Sequence, residues 1–274
     1  MDCLVLGRII ETLESRGAVY CIGYPKMHLD AALIARLSDF GYLGAPTEDG
    51  PPDDARVIFS RFGFPRFKCI DISDYEGAEL VMNFAQDDVP LEARGKADLL
   101  IDPGTFEHFD NIPQAMKNAH DLLADNGVIF HINPGNGWYD HGFWQVSPTF
   151  YHDYYRTNGY SVVVAAVHVD LGIRGQELVQ YRHDIYRTSG RPWIMRNMPS
   201  VKTIFAARKL PGATANVPTV QTYYRDMSGQ PRLDYRTEIE VNISLRHNWP
   251  QIAARLAKQS AKKLFGASSR STKN

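Results

Sequence analysis

The period of the apolar positions changes along the chain and divides it into elements. Leu6, Ile9, Ile10 and Leu13 share one helical face within residues 4–15, and Arg16-Gly17 ends that helix. Ala18 to Ile22 is a short β-prone run, and Gly23-Tyr24-Pro25 is a turn. Leu29, Leu33, Ile34 and Leu37 then restore helical spacing. Strand, turn and helix make the βα unit that commonly opens a doubly wound sheet. Residues 44–54 are polar and rich in Pro and Gly, which predicts a loop. Further strands are predicted at 66–72, at Leu80 to Phe84, at Leu99 to Ile101 and at Val128 to Ile132. Between the last two, Ile112 to Leu123 reads as a helix with Ala115, Met116, Ala119, Leu122 and Leu123 on one side.

After Ile132 the alternation stops. Phe150 to Asn158 suits a helix closed by Gly159. Val162 to Val169 and Val201 to Lys209 read as two strands with no helix between them. They predict an antiparallel pair at one edge of the sheet, separated by a polar, arginine-bearing insertion over about residues 170–200. Past Pro211 the chain is mostly loop, with a strand around Glu238 to Leu245 and a last helix from Pro250 to about Phe265. The expected architecture is α/β: a Rossmann-like, doubly wound, mostly parallel sheet with an antiparallel edge pair over residues 1–210. A C-terminal extension would follow over 211–274.

Composition narrows this picture. The chain has 274 residues and 44% hydrophobic content, enough for a core that needs no staples. A net charge of −1 gives no general attraction to nucleic acid, and no nucleic-acid partner is expected. The three cysteines have no C-x-x-C spacing, and Cys21 and Cys69 lie in apolar runs as buried thiols. No stretch approaches the ~20 apolar residues of a membrane span. These features predict a soluble protein of a reducing compartment, the cytoplasm. The tail carries Arg255, Lys258, Lys262, Lys263, Arg270 and Lys273 with no acid after residue 250. It reads either as a solvated tail or as a basic helix in weak peripheral contact with an anionic membrane.

Candidate chemistry lies where the strands end, because ligands of open α/β sheets bind beyond the carboxyl ends. Asp71 ends the second strand, where a carboxylate can accept two hydrogen bonds from a ribose diol; otherwise it caps the next turn. Glu107 and His108 follow Pro103-Gly104, where Gly104 would let backbone pass close to a ligand. His108 could move a proton, or Glu107 could simply begin the next helix while His108 packs. His141 sits among Trp138, Tyr139, Asp140, Phe143 and Trp144. That setting suits a pocket that grips a ring or sugar face, with His141 deprotonating a hydroxyl for about a 10²–10⁴-fold gain; the bland alternative is an aromatic lid with a structural histidine. Asp102, Glu107, His108, Asp140 and His141 are metal-ligand types, but no i, i+4 His pair or other metal spacing appears, so no metal is expected. There is no G-x-S-x-G elbow and no cysteine nucleophile.

Four segments carry a family resemblance. Asp98-Leu99-Leu100-Ile101-Asp102-Pro103-Gly104-Thr105-Phe106-Glu107-His108 resembles the fourth strand and following turn of class I S-adenosylmethionine-dependent methyltransferases, which commonly end in Thr-x-Glu-His. Leu122-Leu123-Ala124-Asp125-Asn126-Gly127 resembles the turn before their fifth strand. Asp71 to Ala78 and His141 to Pro148 resemble a bacterial subgroup often linked to glycan or nucleotide-sugar pathways. The likeness spans roughly residues 15–210. It implies S-adenosylmethionine across the ends of the first three strands, near Gly23, Asp71 and Asn83, with Asp87 in place of Asn83 in another register. Asp102, Gly104 and Glu107 would form the floor of that cleft. The acceptor, a small-molecule or sugar hydroxyl, would lie under residues 138–148 and the 170–200 insertion, with His141 as base and His108 as the second catalytic candidate.

One segment departs from the family. Where it has acid-x-Gly-x-Gly-x-Gly, this chain has Cys21-Ile22-Gly23-Tyr24-Pro25-Lys26-Met27. Only Gly23 survives, Pro25 fixes its φ near −65° and Met27 adds bulk, so the turn cannot take the usual shape. The departure supports a second expectation, a catalytically silent methyltransferase-fold protein that serves as a binding or scaffold subunit.

Overall fold

Helix α1, Asp2–Glu11, buries Leu4, Val5, Leu6, Ile9 and Ile10 and leads into strand β1, Val19–Ile22. A computed structural model describes residues 2–25, 54–138, 141–170, 176–180 and 200–245. The expected helices at 29–37 and 250–265, nearly all of the 44–54 loop, most of the 170–200 insertion and the basic tail lie outside the described residues. The chain continues with helix α2 (Ala55–Arg61), strands β2 (Phe67–Asp71), β3 (Leu80–Val81) and β4 (Ala97–Asp102), and helix α3 (Ile112–Leu122). Strand β5 (Leu123–Pro134), helix α4 (Pro148–Thr157), and strands β6 (Tyr160–Asp170), β7 (Gln176–Gln180) and β8 (Ser200–Lys209) follow. Short helix α5 (Thr222–Met227) and strand β9 (Ile243–Leu245) complete the described elements.

Among the described residues, nine strands join one sheet in the order β3-β2-β1-β4-β5-β8-β6-β7-β9. The pairings from β3 to β5 are parallel, and those from β5 to β9 are antiparallel. Both faces are covered. On one side α1 and α2 pack over Cys21, Ile101 and Phe130. On the other, α3 and α4 pack over Ile22, Leu100 and Ile129. Neighbouring residues of a strand thus enter opposite cores, which is why these strands read as unbroken apolar runs.

The expected α/β sheet with an antiparallel edge is present, and several details differ. The edge is wider than a pair: β8 lies between β5 and β6 as expected of the pair, and β7, drawn from the expected insertion, pairs with β6. Strand β9 then pairs with β7, so neither β6 nor β7 leaves a bare outer edge. Helix α2 was not expected; Asp54 caps it by accepting from Arg56 N at 2.7 Å, and it buries Ala55, Ile58 and Phe59. The third strand is shorter than expected, because the chain turns at Asn83, whose Oδ1 accepts from Ala85 N at 3.1 Å. Residues 211–245, expected as an extension, are fastened to the sheet and its helices. Arg208 pairs with Glu238 at 2.8 Å, Thr222 Oγ1 donates to Asp153 Oδ1 at 2.6 Å, and Val241 is fully buried. Among the described residues, no helix is long and apolar enough to cross a membrane.

Candidate functional site

Beyond the carboxyl ends of β4 and β5 the fold builds a buried polar network. Asp102 ends β4, and its Oδ1 accepts from the backbone N–H groups of Gly104 (3.3 Å), Thr105 (2.8 Å) and Phe106 (3.2 Å). Its Oδ2 accepts from Asn133 Nδ2 at 2.8 Å and lies 2.8 Å from Nδ1 of His131, its register partner on β5. A proton on Nδ1 facing that carboxylate leaves Nε2 to accept from Tyr155 Oη at 2.7 Å. Tyr151 Oη donates to Asn133 Oδ1 at 2.6 Å. Asp102 is fully buried. Expected on the cofactor floor, Asp102 has Oδ1 bonded to the turn after β4 and Oδ2 bonded to Asn133 and His131 of β5.

Glu107 lies in the single turn Phe106–His108 that follows. Its side chain is 1% exposed, and Oε2 accepts from Asn133 Nδ2 at 3.0 Å. Burial first, then the negative charge of Asp102, pushes its carboxyl up to about 7. Gly104 has φ +107°, and a Cβ there would stand 3.2 Å from Glu107 Oε1, so the turn closes tightly over that carboxyl. Oε1 lies 3.9 Å from His108 Nε2 and 3.7 Å from His141 Nε2. The two imidazoles are 5.3 Å apart and about half exposed. Burial and the neighbouring His141 both hold His108 below the usual imidazole range.

His141 reaches Glu107 because the chain after it is clamped there. The N–H groups of Phe143 and Trp144 donate to Glu107 O at 2.8 and 3.2 Å, and Trp144 Nε1 donates to Phe109 O at 2.7 Å. Gly142 is required at this crossing, since a Cβ would come within 2.8 Å of Glu107 O. Glu107, His108 and His141 each offer a ligand atom, and these atoms lie within 4.8 Å of one another.

Beside this cluster is a cleft of about 270 Å³ at the ends of β1, β2, β3 and β4, lined by Gly23, Asp71, Asn83, Thr105, His108 and Asp110 among others. Asp71 Oδ1 accepts from Ser73 N at 3.3 Å, while no described residue bonds Oδ2. Thr105 Oγ1 donates to Ile22 O at 2.6 Å and joins the first turn to the fourth. Cys21 is fully buried, with its thiol pushed well up by burial. Asp87 is off the cleft wall and braces Asn83 by accepting its N–H at 2.7 Å. A second cavity of about 680 Å³ shares the Asp110 wall and is bounded by Phe106, Met116, Trp144, Phe150 and Tyr154. It lies along the Trp144–Ser147 part of the segment expected to cover an acceptor.

Gly23, Asp71, Asn83 and His108 thus share one cleft, with Glu107 and His141 meeting at His108. Asp102 and Gly104 are not on its walls. Tyr139, Asp140 and most of the 170–200 insertion lie outside the described residues. His131, Asn133, Tyr151 and Tyr155 were not anticipated. Their one signal is polar or hydroxyl-bearing residues at the core-facing positions of β5 and α4.

No family model and no curated protein matches this chain. Solved structures do resemble it. A Burkholderia thailandensis 1,6-didemethyltoxoflavin-N1-methyltransferase, crystallised with 1,6-didemethyltoxoflavin and S-adenosylhomocysteine, aligns over 76% of each chain at 11% identity and a TM-score of 0.43. The YcgJ protein of Bacillus subtilis aligns over 76% of this chain and 99% of its own at 11% identity and a TM-score of 0.41. TehB of Haemophilus influenzae aligns over 76% of this chain and 61% of its own at 11% identity and a TM-score of 0.40. Overlaps this loose say nothing about chemistry, which rests on the side chains of the cleft.

Proposed function

We propose that this protein transfers a methyl group from S-adenosylmethionine to a hydroxyl of a small molecule or sugar. The observation that carries this reading is the joining of Gly23, Asp71 and Asn83 in one cleft at the parallel strand ends, with the Glu107–His108–His141 cluster on its flank and the larger cavity beside it.

The residues present fit the adenosine half of the cofactor. Asp71 has a carboxylate oxygen to offer a ribose diol, and Asn83 Oδ1 keeps a lone pair beyond its bond to Ala85 for an adenine amino group. Ile22, Met82 and Phe84 supply apolar walls for a base. The methionine half would depend on the stretch after Gly23, where Pro25 stands in place of a glycine. When bound, the cofactor would supply an electrophilic methyl on a sulfonium, which an acceptor oxygen would take while the electron pair of the broken S–C bond stayed on sulfur.

The chain's own residues have two tasks. Trp144, Phe150 and Tyr154 hold the acceptor's apolar face in the large cavity. His141 takes the hydroxyl proton, with Glu107 Oε1 3.7 Å from its Nε2. The altered turn Cys21 to Met27 favours the second reading, a silent protein on the same fold. Calorimetric titration with S-adenosylmethionine and S-adenosylhomocysteine separates them. Binding that falls at least tenfold in Asp71→Ala supports the proposal, and no heat at millimolar cofactor leaves the silent reading.

A further inference from the structure

The spacing of ligand-type residues along the sequence predicts no metal. The fold supplies the proximity that spacing lacks. Glu107 and His108 are neighbours in one turn, and His141 is brought to them by the two hydrogen bonds from Phe143 and Trp144 to Glu107 O. Oxygen and nitrogen ligands bind zinc at about 2.0–2.2 Å, which sets ligand atoms of a tetrahedral site about 3.4 Å apart. Glu107 Oε1 stands 3.7 and 3.9 Å from the two Nε2 atoms, and the ligand atoms of all three residues lie within 4.8 Å of one another, so closing onto an ion draws the two imidazoles toward the carboxylate and toward each other. The half-exposed imidazoles can make that movement. The carboxylate need not, because Asn133 Nδ2 holds its other oxygen at 3.0 Å and so orients the free one, as partners behind a metal ligand commonly do.

We propose that Glu107, His108 and His141 form a binding site for a divalent transition-metal ion, zinc by ligand class. Two imidazoles and one carboxylate suit zinc better than magnesium or calcium, which take oxygen ligands. Three protein ligands leave a fourth position open, as in catalytic zinc sites. Of the three, His108 lines the cleft. Metal binding stands on geometry alone. Its consequence rests on the proposed function: an acceptor hydroxyl in the open position is acidified by the ion and gives its proton to water, so in the loaded protein the metal does the work otherwise assigned to His141.

The test uses the full chain, stripped with EDTA, dialysed and titrated with zinc chloride, with metal content measured after gel filtration. One equivalent of zinc at micromolar affinity or tighter is expected. His108→Ala, His141→Ala and Glu107→Gln should each weaken it at least tenfold. His120→Ala, whose imidazole bonds Tyr160 at 2.7 Å away from the cluster, should leave it unchanged. Cobalt(II) added to the unaltered protein should give the intense visible bands of a four-coordinate site, a readout that does not depend on any variant folding. Substoichiometric zinc together with a cobalt spectrum no different from the free ion would overturn the proposal. So would full binding in all three variants. Cofactor titration of the metal-free protein is a separate measurement, so loss of the methyltransferase reading and loss of the metal site are told apart.

Discussion

Replacing Glu107 by Gln should stabilise the protein at neutral pH, because the wild-type carboxyl is held in a place that resists its charge. Its side chain is 1% exposed and faces the charge of Asp102, and hydrogen bonds from Asn133 and from its own backbone N–H offset this only in part. These surroundings raise it from 4.5 to about 7 in the folded protein. A carboxyl with a raised folded value binds its proton more tightly when folded. Its penalty is absent below the unfolded value, grows as pH rises through the window from 4.5 to about 7, and is constant above it. At about 1.4 kcal/mol per pH unit the full penalty is about 3 kcal/mol. Glutamine stays neutral and keeps an oxygen for Asn133, so the variant escapes the penalty without losing that bond. Urea unfolding in EDTA at pH 4.5 and pH 8 measures it. The stability difference between variant and wild type should shift by about 3 kcal/mol in the variant's favour over that range. A difference that stays flat to within about 1 kcal/mol, or moves the other way, refutes the reasoning that Glu107 is an uncompensated buried acid.

Two further substitutions test the framework around it. Gly142→Ala puts a Cβ within 2.8 Å of Glu107 O and should force the loop off its two hydrogen bonds. We expect about 1–3 kcal/mol of lost stability by urea unfolding and at least a tenfold weaker zinc affinity, although no ligand is touched. Thr222→Val removes the 2.6 Å bond to Asp153 Oδ1, a buried carboxylate. A loss of about 1–3 kcal/mol is expected, and an unchanged midpoint would mean that the chain past residue 210 is not part of the cooperative fold.

The parallel half of the sheet was legible because its strands are buried on both faces. Residues such as Leu99, Leu100 and Ile101 form unbroken apolar runs between acids and turns, and such runs have few other interpretations. Helix α3 was legible for the complementary reason: eleven residues are long enough to display a face. Helix α2 has only seven, one of them the exposed Val57, and shows no face to read. Strand β7 is five residues inside a polar stretch, and what makes it a strand is the open side of β6, a tertiary fact. Gly23, Asp71 and Asn83 could be placed in one cleft from sequence because the ends of parallel strands converge whatever their register.

Register is what separates the two acids that sequence alone treats alike. Asp102 and Glu107 lie five positions apart on one strand end and turn, and both were expected on a cofactor floor. Strand β5 pairs His131 opposite Asp102, so that carboxylate meets three backbone N–H groups, an amide and an imidazole. Its burial is compensated, and it becomes structural. Glu107 shares Asn133 with it, and that bond, its own backbone N–H and the charge of Lys202 do not outweigh burial and the charge of Asp102. The nearest polar groups left to it are two half-exposed imidazoles, His108 from the same turn and His141 from the clamped loop. An acid that is poorly compensated, fixed in place and faced by two half-exposed imidazoles is chemically unfinished. A proton completes it, and so would the proposed metal ion. In the proposed site the chemistry first assigned to His141 is shared by the three residues, and Glu107 is the member that lies nearest both imidazoles.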